Sequence, residues 1–243
     1  NRHCPSCQGF AARVWVATRV ERILPVPHFH VVFTLPAPLR RLFGVDAAGM
    51  YDRLFAAVAT TLRVLAEKRL GVQLGVTAVL HTWNQDLGYH PHIHAIVTGG
   101  GLDADGRWKA TPVGYLLPQP WLAAFFRGAM VRALRAAYAD QTLPVPPEWA
   151  QPKPFHAAMR RLYQERWVVY AKRPFGGTEA IFEYLGRYTH RVGISDHRLV
   201  EVTDDAVTFR RRNRPDTTVT PAEFVRRLAR HILPDGFRKI RHY

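Results

Sequence analysis

Residues 28–35 read His-Phe-His-Val-Val-Phe-Thr-Leu, a β-branched and aromatic run that stops at Pro36 and predicts a strand. Over 47–70 apolar residues return at helical spacing (Met50, Leu54, Val58, Leu62, Leu65), which predicts an amphipathic helix. Two strand-like segments follow at 76–83 and 92–97, then the turn-rich Gly99-Gly100-Gly101 and Asp105-Gly106. A second helix is expected over 120–138. Pro144, Pro146, Pro147, Pro152 and Pro154 mark 143–154 as an extended connection. Beyond it the pattern gives a strand at 167–172, a Gly176-Gly177 turn and a helix over 178–190. A hairpin over 199–212 turns at Asp204-Asp205, and a short helix covers 221–231. This order predicts an α+β fold, an antiparallel sheet with helices on one side.

Charge changes the picture more than overall hydrophobicity does. The 243 residues carry 34 Lys and Arg against 19 Asp and Glu, a formal +15, with an ordinary 47% hydrophobic content. Such an excess suits a polyanionic partner, because each phosphate neutralised releases counterions. No run of about twenty apolar residues suggests a membrane span, and the first residues lack the pattern of a signal peptide. The expected location is cytoplasmic, of bacterial type and nucleoid-associated, with no membrane partner.

Two motifs carry candidate chemistry. In His90-Pro91-His92-Ile93-His94 the alternation of a strand puts His92 and His94 on one face and Ile93 on the other. Two neutral imidazoles so placed can hold one divalent cation. A third ligand is expected from the end of the preceding strand, where Gln85 is the first choice and Asn84 and Asp86 are rivals. The second motif is Tyr184-Leu185-Gly186-Arg187-Tyr188, whose two phenols stand one above the other on a helix face. A tyrosine can attack a phosphodiester and store the energy of the broken linkage as a phosphotyrosine bond. A bound metal would polarise the scissile phosphate.

Cys4 and Cys7 form a CxxC that reads as half of a zinc knuckle, the end of a longer amino-terminal zinc segment. Residues 1–22 are therefore expected to be a zinc-domain remnant and linker, and 23–243 a catalytic domain. Arg173, Arg187, Arg191, Arg210, Arg211 and Arg212, with Trp167, Tyr170 and Phe209 nearby, suggest a backbone-tracking groove with stacking platforms for single-stranded DNA.

Taken together, these segments resemble the two-tyrosine HUH transposases of rolling-circle insertion sequences, number ninety-one in the insertion-sequence series. The resemblance rests on Asn1-Arg2-His3-Cys4-Pro5-Ser6-Cys7-Gln8, Val31-Val32-Phe33-Thr34-Leu35-Pro36, His90-Pro91-His92-Ile93-His94, Tyr184-Leu185-Gly186-Arg187-Tyr188-Thr189-His190-Arg191-Val192 and the closing Gly236-Phe237-Arg238-Lys239-Ile240-Arg241-His242-Tyr243. It implies the HUH endonuclease fold, an RRM-like antiparallel sheet with the HxH on a central strand. It also implies His92 and His94 as ligands of Mg²⁺ or Mn²⁺, Tyr184 and Tyr188 as nucleophiles, and Zn²⁺ on Cys4 and Cys7. The implied activity is cleavage and rejoining of single-stranded DNA at element termini and target through a 5′-phosphotyrosine intermediate. Two rivals remain open: a replication initiator or relaxase using the same chemistry, and a catalytically silent module that binds single strands.

Overall fold

A computed structural model describes residues 10, 13–18, 21, 23–112, 114, 116–172 and 193–243. The expected Gly176-Gly177 turn, the helix over 178–190 and the CxxC lie outside the described residues.

In chain order the elements are β1 (His28–Thr34), α1 (Arg40–Val45), α2 (Ala47–Leu70), β2 (Gln73–Trp83), β3 (Tyr89–Leu102), β4 (Trp108–Ala110), α3 (Gln119–Ala139), α4 (Pro152–Gln164), β5 (Val168–Lys172), β6 (Leu199–Val202), β7 (Val207–Arg211), β8 (Arg214–Val219), α5 (Pro221–Ala229) and β9 (Ile240–His242). The main sheet runs β5-β1-β3-β2-β9, with β4 added to the end of β3, and every described pairing in it is antiparallel. A separate three-stranded sheet runs β6-β7-β8. The fold is thus α+β with a central antiparallel sheet and packed helices, as the pattern predicts, and β3 lies in the middle of it.

The two faces of the sheet differ because every strand alternates. One face presents Phe29, Val31 and Phe33 of β1, Ala78 and Leu80 of β2, Ile93, Ala95 and Val97 of β3, and Val169 of β5, all in the core. α2 and α3 cover it with Leu54, Val58, Leu62, Phe126 and Met130. The Phe126 ring bridges the layers, meeting Phe33 at 5.2 Å and Trp167 at 5.3 Å between centroids. The other face carries the polar members of the same strands, including His30, His81, His92 and His94.

α2 has the expected bounds because both ends are specified. The Asp46 side chain accepts from Gly49 N at 2.8 Å, and Gly71 closes the helix at φ 67°. α4 departs from the expected extended connection. Pro152 opens it, where a missing N–H costs no helical hydrogen bond, and Phe155, Met159 and Leu162 then bury one stripe. Gly99, Gly100 and Gly101 continue β3 instead of turning. A Cβ on Gly101 would lie 2.1 Å from the Gln73 carbonyl oxygen, so close strand approach requires glycine there. β8 contains Pro215, and the pattern does not predict a strand there; it is the edge of its sheet, where a missing donor is tolerated. No helix among the described residues is long and apolar enough to cross a membrane.

Candidate metal centre

β3 places His92 and His94 on the face away from the helices, as alternation requires, and β2 brings His81 beside them. His81 stands directly opposite His92, and Val79 opposite His94. One ring nitrogen from each of His81, His92 and His94 lies within 4.8 Å of the others. Ring centroids are 4.2 Å apart for His81 and His94, 4.9 Å for His92 and His94, and 5.3 Å for His81 and His92. The β2–β3 register shifts between His81 and Trp83, where β3 accommodates an extra residue near Pro91. A proline cannot donate to the ladder, and a bulge is where a strand tolerates one. The shift leaves the His90 ring 5.2 Å from that of His92.

The protonation state suits a cation. Burial first, and then the neighbouring imidazoles, hold His81 and His94 well below the usual histidine range. Burial pulls His92 down to about 4. All three rings are therefore neutral near pH 7, the form that donates a lone pair. His92 Nδ1 lies 2.6 Å from the His90 carbonyl oxygen. A carbonyl only accepts, so Nδ1 carries the proton and Nε2 is left as the donor atom for a metal. His81 also stacks on Trp83 at 5.0 Å.

Two further groups border the triad. His30 of β1 is bonded to His94, Nε2 to Nδ1 at 2.8 Å. Burial, and then the charge of Lys172 across the strand pair, push His30 down to about 4. Lys239, just before β9, is lowered to about 8 by burial and lies close enough for its charge to depress His81.

Gln85 does not join this group. It sits in the β2–β3 hairpin with its Oε1 accepting from Arg212 N at 2.9 Å, while its carbonyl accepts from Arg198. The rival Asn84 uses its Oδ1 to cap Asp86 N and Gly88 N, and Asp86 pairs with Arg211 at 2.7 Å. Gln85 and Asp86 thus hold the hairpin against β7–β8, and Asn84 shapes its turn. Arg211 is committed to Asp86 and to the Pro215 carbonyl, whereas the side chains of Arg210 and Arg212 are exposed. Tyr184, Tyr188, Arg173, Arg187, Arg191, Cys4 and Cys7 lie outside the described residues.

The sequence pattern alone does not single out His81 or His30, although both signals are present in faint form. His81 shares the β2 parity of Thr77 and Val79, and His28-Phe29-His30 is a second His-x-His in a hydrophobic strand.

Comparison with known proteins agrees with the resemblance carried by the motifs. A family model described as “Putative transposase” matches residues 75–243, from within β2 through β9. The chain belongs to this transposase family. A second model, described as “Transposase zinc-binding domain”, matches residues 1–35. “Putative transposase y4qJ” of Sinorhizobium fredii (strain NBRC 101917 / NGR234) is 40% identical over 255 residues, covering 100% of this chain and 64% of that protein. “Transposase for insertion sequence element IS801” of Pseudomonas savastanoi pv. phaseolicola is 30% identical over 258 residues, covering 100% of this chain and 60% of that protein. The chain therefore spans less than two thirds of the length of these curated relatives. No solved structure matches it.

Proposed function

We propose that this chain is the catalytic part of a DNA transposase that cuts and rejoins single-stranded DNA during rolling-circle transposition, through a 5′-phosphotyrosine intermediate. The observation that carries the reading is the convergence of neutral His81, His92 and His94 on one sheet face in a member of a transposase family. Two buried imidazoles and one half-buried one, each with a ring nitrogen within 4.8 Å of the others, fit a divalent cation. A bound ion would supply positive charge to the scissile phosphate and to the charge that develops on it.

The chain's own groups do the rest. Tyr188 or Tyr184 attacks the phosphorus through its phenolate oxygen. The bond from phosphorus to the 3′ oxygen breaks and that oxygen takes up a proton, equivalent to the one the phenol released, leaving a free 3′-hydroxyl on one fragment and a 5′-phosphotyrosine on the other. The second tyrosine repeats the step on the target or the other end, and a hydroxyl resolves each covalent link. His92 and His94 come from β3 and His81 from β2, so the ligands sit on paired strands whose geometry is fixed by the core beneath them. The strong positive charge favours the polyanionic substrate.

The organisation follows from the same reading: an amino-terminal zinc-binding segment and linker over 1–22, with Cys4 and Cys7 as part of a Zn²⁺ site, and a nuclease domain over 23–243. Pairing of β1 with β3 and β5 supports including residues 28–34 in the nuclease, although the zinc-domain model extends across them.

The test is a denaturing gel of the protein with single-stranded oligonucleotides from the element's termini, labelled at the 3′ end, with and without Mn²⁺. A slow covalent band that requires the metal is expected. Cleavage without a protein-linked product would overturn the tyrosine mechanism.

A further inference from the structure

We propose that His30 is a positioning residue for the metal centre, accepting the Nδ1–H of His94 so that His94 Nε2 faces the ion. The inference rests on the reading of His81, His92 and His94 as metal ligands. His30 Nε2 and His94 Nδ1 are 2.8 Å apart, the rings are nearly coplanar at 13°, and their centroids are 5.0 Å apart. Both residues are buried, at 3% and 8% exposure, so water does not compete freely for either nitrogen. The pair is diagonal across β1 and β3: His94 faces Val32, and His30 faces Ile96.

Metal binding decides the direction of this hydrogen bond. If His30 were the donor, the neutral His94 ring would carry its own proton on Nε2 and could not ligate through that atom. With His94 donating from Nδ1, Nε2 keeps its lone pair. The arrangement matches that of His92, whose Nδ1 donates to the His90 carbonyl. Each ring of the His-x-His motif therefore has its non-ligating nitrogen held, one by backbone and one by a side chain. Such partners fix tautomer and ring orientation and raise the basicity of the ligand.

The source of the residue is informative. His30 lies within the 1–35 segment matched by the zinc-binding model and outside the 75–243 segment matched by the transposase model. β1 thus contributes to the catalytic centre as well as to the sheet.

The experiment measures Mn²⁺ affinity by calorimetry, and the visible spectrum with Co²⁺, for wild type, His30→Phe, His30→Leu and His30→Gln. The Phe and Leu variants fill space without an acceptor and are expected to bind Mn²⁺ about tenfold to a hundredfold more weakly, with an altered Co²⁺ spectrum. The Gln variant retains an acceptor oxygen and is expected to recover most of that loss. Wild-type affinity in folded Phe and Leu variants, or no recovery with Gln, overturns the proposal while leaving the metal reading intact. Failure of the wild type itself to bind any divalent ion overturns both. Long-range nitrogen–proton NMR of the unsubstituted protein with Zn²⁺ bound gives a check that needs no variant. A protonated His94 Nδ1 supports the proposal, and a Zn²⁺-bound Nδ1 overturns it.

Discussion

His81 on β2 faces His92 on β3 as a direct cross-strand pair, which joins a residue outside the motif to one inside it. The ligand set of the proposed centre is thus a property of strand pairing. Replacing His81 with Ala is expected to weaken Mn²⁺ binding by at least about a hundredfold, while Gln85→Ala stays within about twofold. Calorimetric titration of the two variants checks this. The reverse order would return the third-ligand role to Gln85.

The donor set also predicts which ion binds best. Imidazole nitrogen suits transition metals, whereas Mg²⁺ prefers oxygen ligands. Among the described residues the triad contains no carboxylate. Mn²⁺ and Zn²⁺ are expected to bind at least about tenfold more tightly than Mg²⁺. Competition titrations at fixed pH measure the order, and equal affinity for Mg²⁺ would mean that an oxygen ligand is present.

Each tyrosine has a separable signature. Tyr184→Phe and Tyr188→Phe are each expected to retain one route to a covalent adduct, and the double variant none. The readout is the 3′-labelled band on a denaturing gel. A double variant that still forms the band at the wild-type rate would remove both residues from the nucleophile role.

The hairpin between β2 and β3 is held by His231, whose Nε2–H donates to the Leu87 carbonyl at 3.0 Å while Nδ1 accepts from the Thr82 hydroxyl at 3.1 Å. Burial keeps its pKa below the usual 6.5 in the folded protein. The unfolded chain then binds a proton that the folded chain excludes, so this contribution is fully present above about pH 6.5 and is lost as pH falls through the lower folded value. His231→Ala is expected to cost about 2–3 kcal/mol at pH 8, through two orphaned buried partners. Below pH 6.5 the variant should lose stability less steeply than the wild type. Urea melts at several pH values test both statements.

The arginines of the β7–β8 hairpin divide by environment. Arg211 and Asp86 are both largely shielded, at 20% and 32% side-chain exposure. Arg211→Ala is expected to cost about 1–2 kcal/mol of stability. Arg210→Ala and Arg212→Ala should leave stability within about 0.5 kcal/mol. Together they should weaken single-stranded DNA binding and lower its salt dependence by about 0.7 for each phosphate that is no longer neutralised. Salt titrations by fluorescence anisotropy separate the two effects, and an unchanged slope would take Arg210 and Arg212 out of the DNA interface.

Much of the frame was legible because its signals are local. The 3.6-residue period and the Asp46 and Gly71 caps define α2 to the residue, and alternation defines β1 and the inner half of β3. The departures have local causes as well. Pro152 and Pro154 read as breakers, yet the first turn of a helix has no intrahelical use for those N–H groups. Gly99, Gly100 and Gly101 read as a turn, whereas their small size admits close neighbouring strands.

By itself, the sequence determined the α+β class, the basic character and the shared face of His92 and His94, since period-two alternation is built into any strand. Only the tertiary structure decided that His81 and His30 flank that pair and that Gln85 turns to Arg212. Strand order and register depend on which faces bury together across long separations in the chain, and no local pattern encodes them. His30 and His94 are 64 residues apart in sequence and 2.8 Å apart in space, because the β1–β3 pairing that buries Phe29, Val31 and Phe33 beside Ile93 and Ala95 turns both histidines to the opposite face.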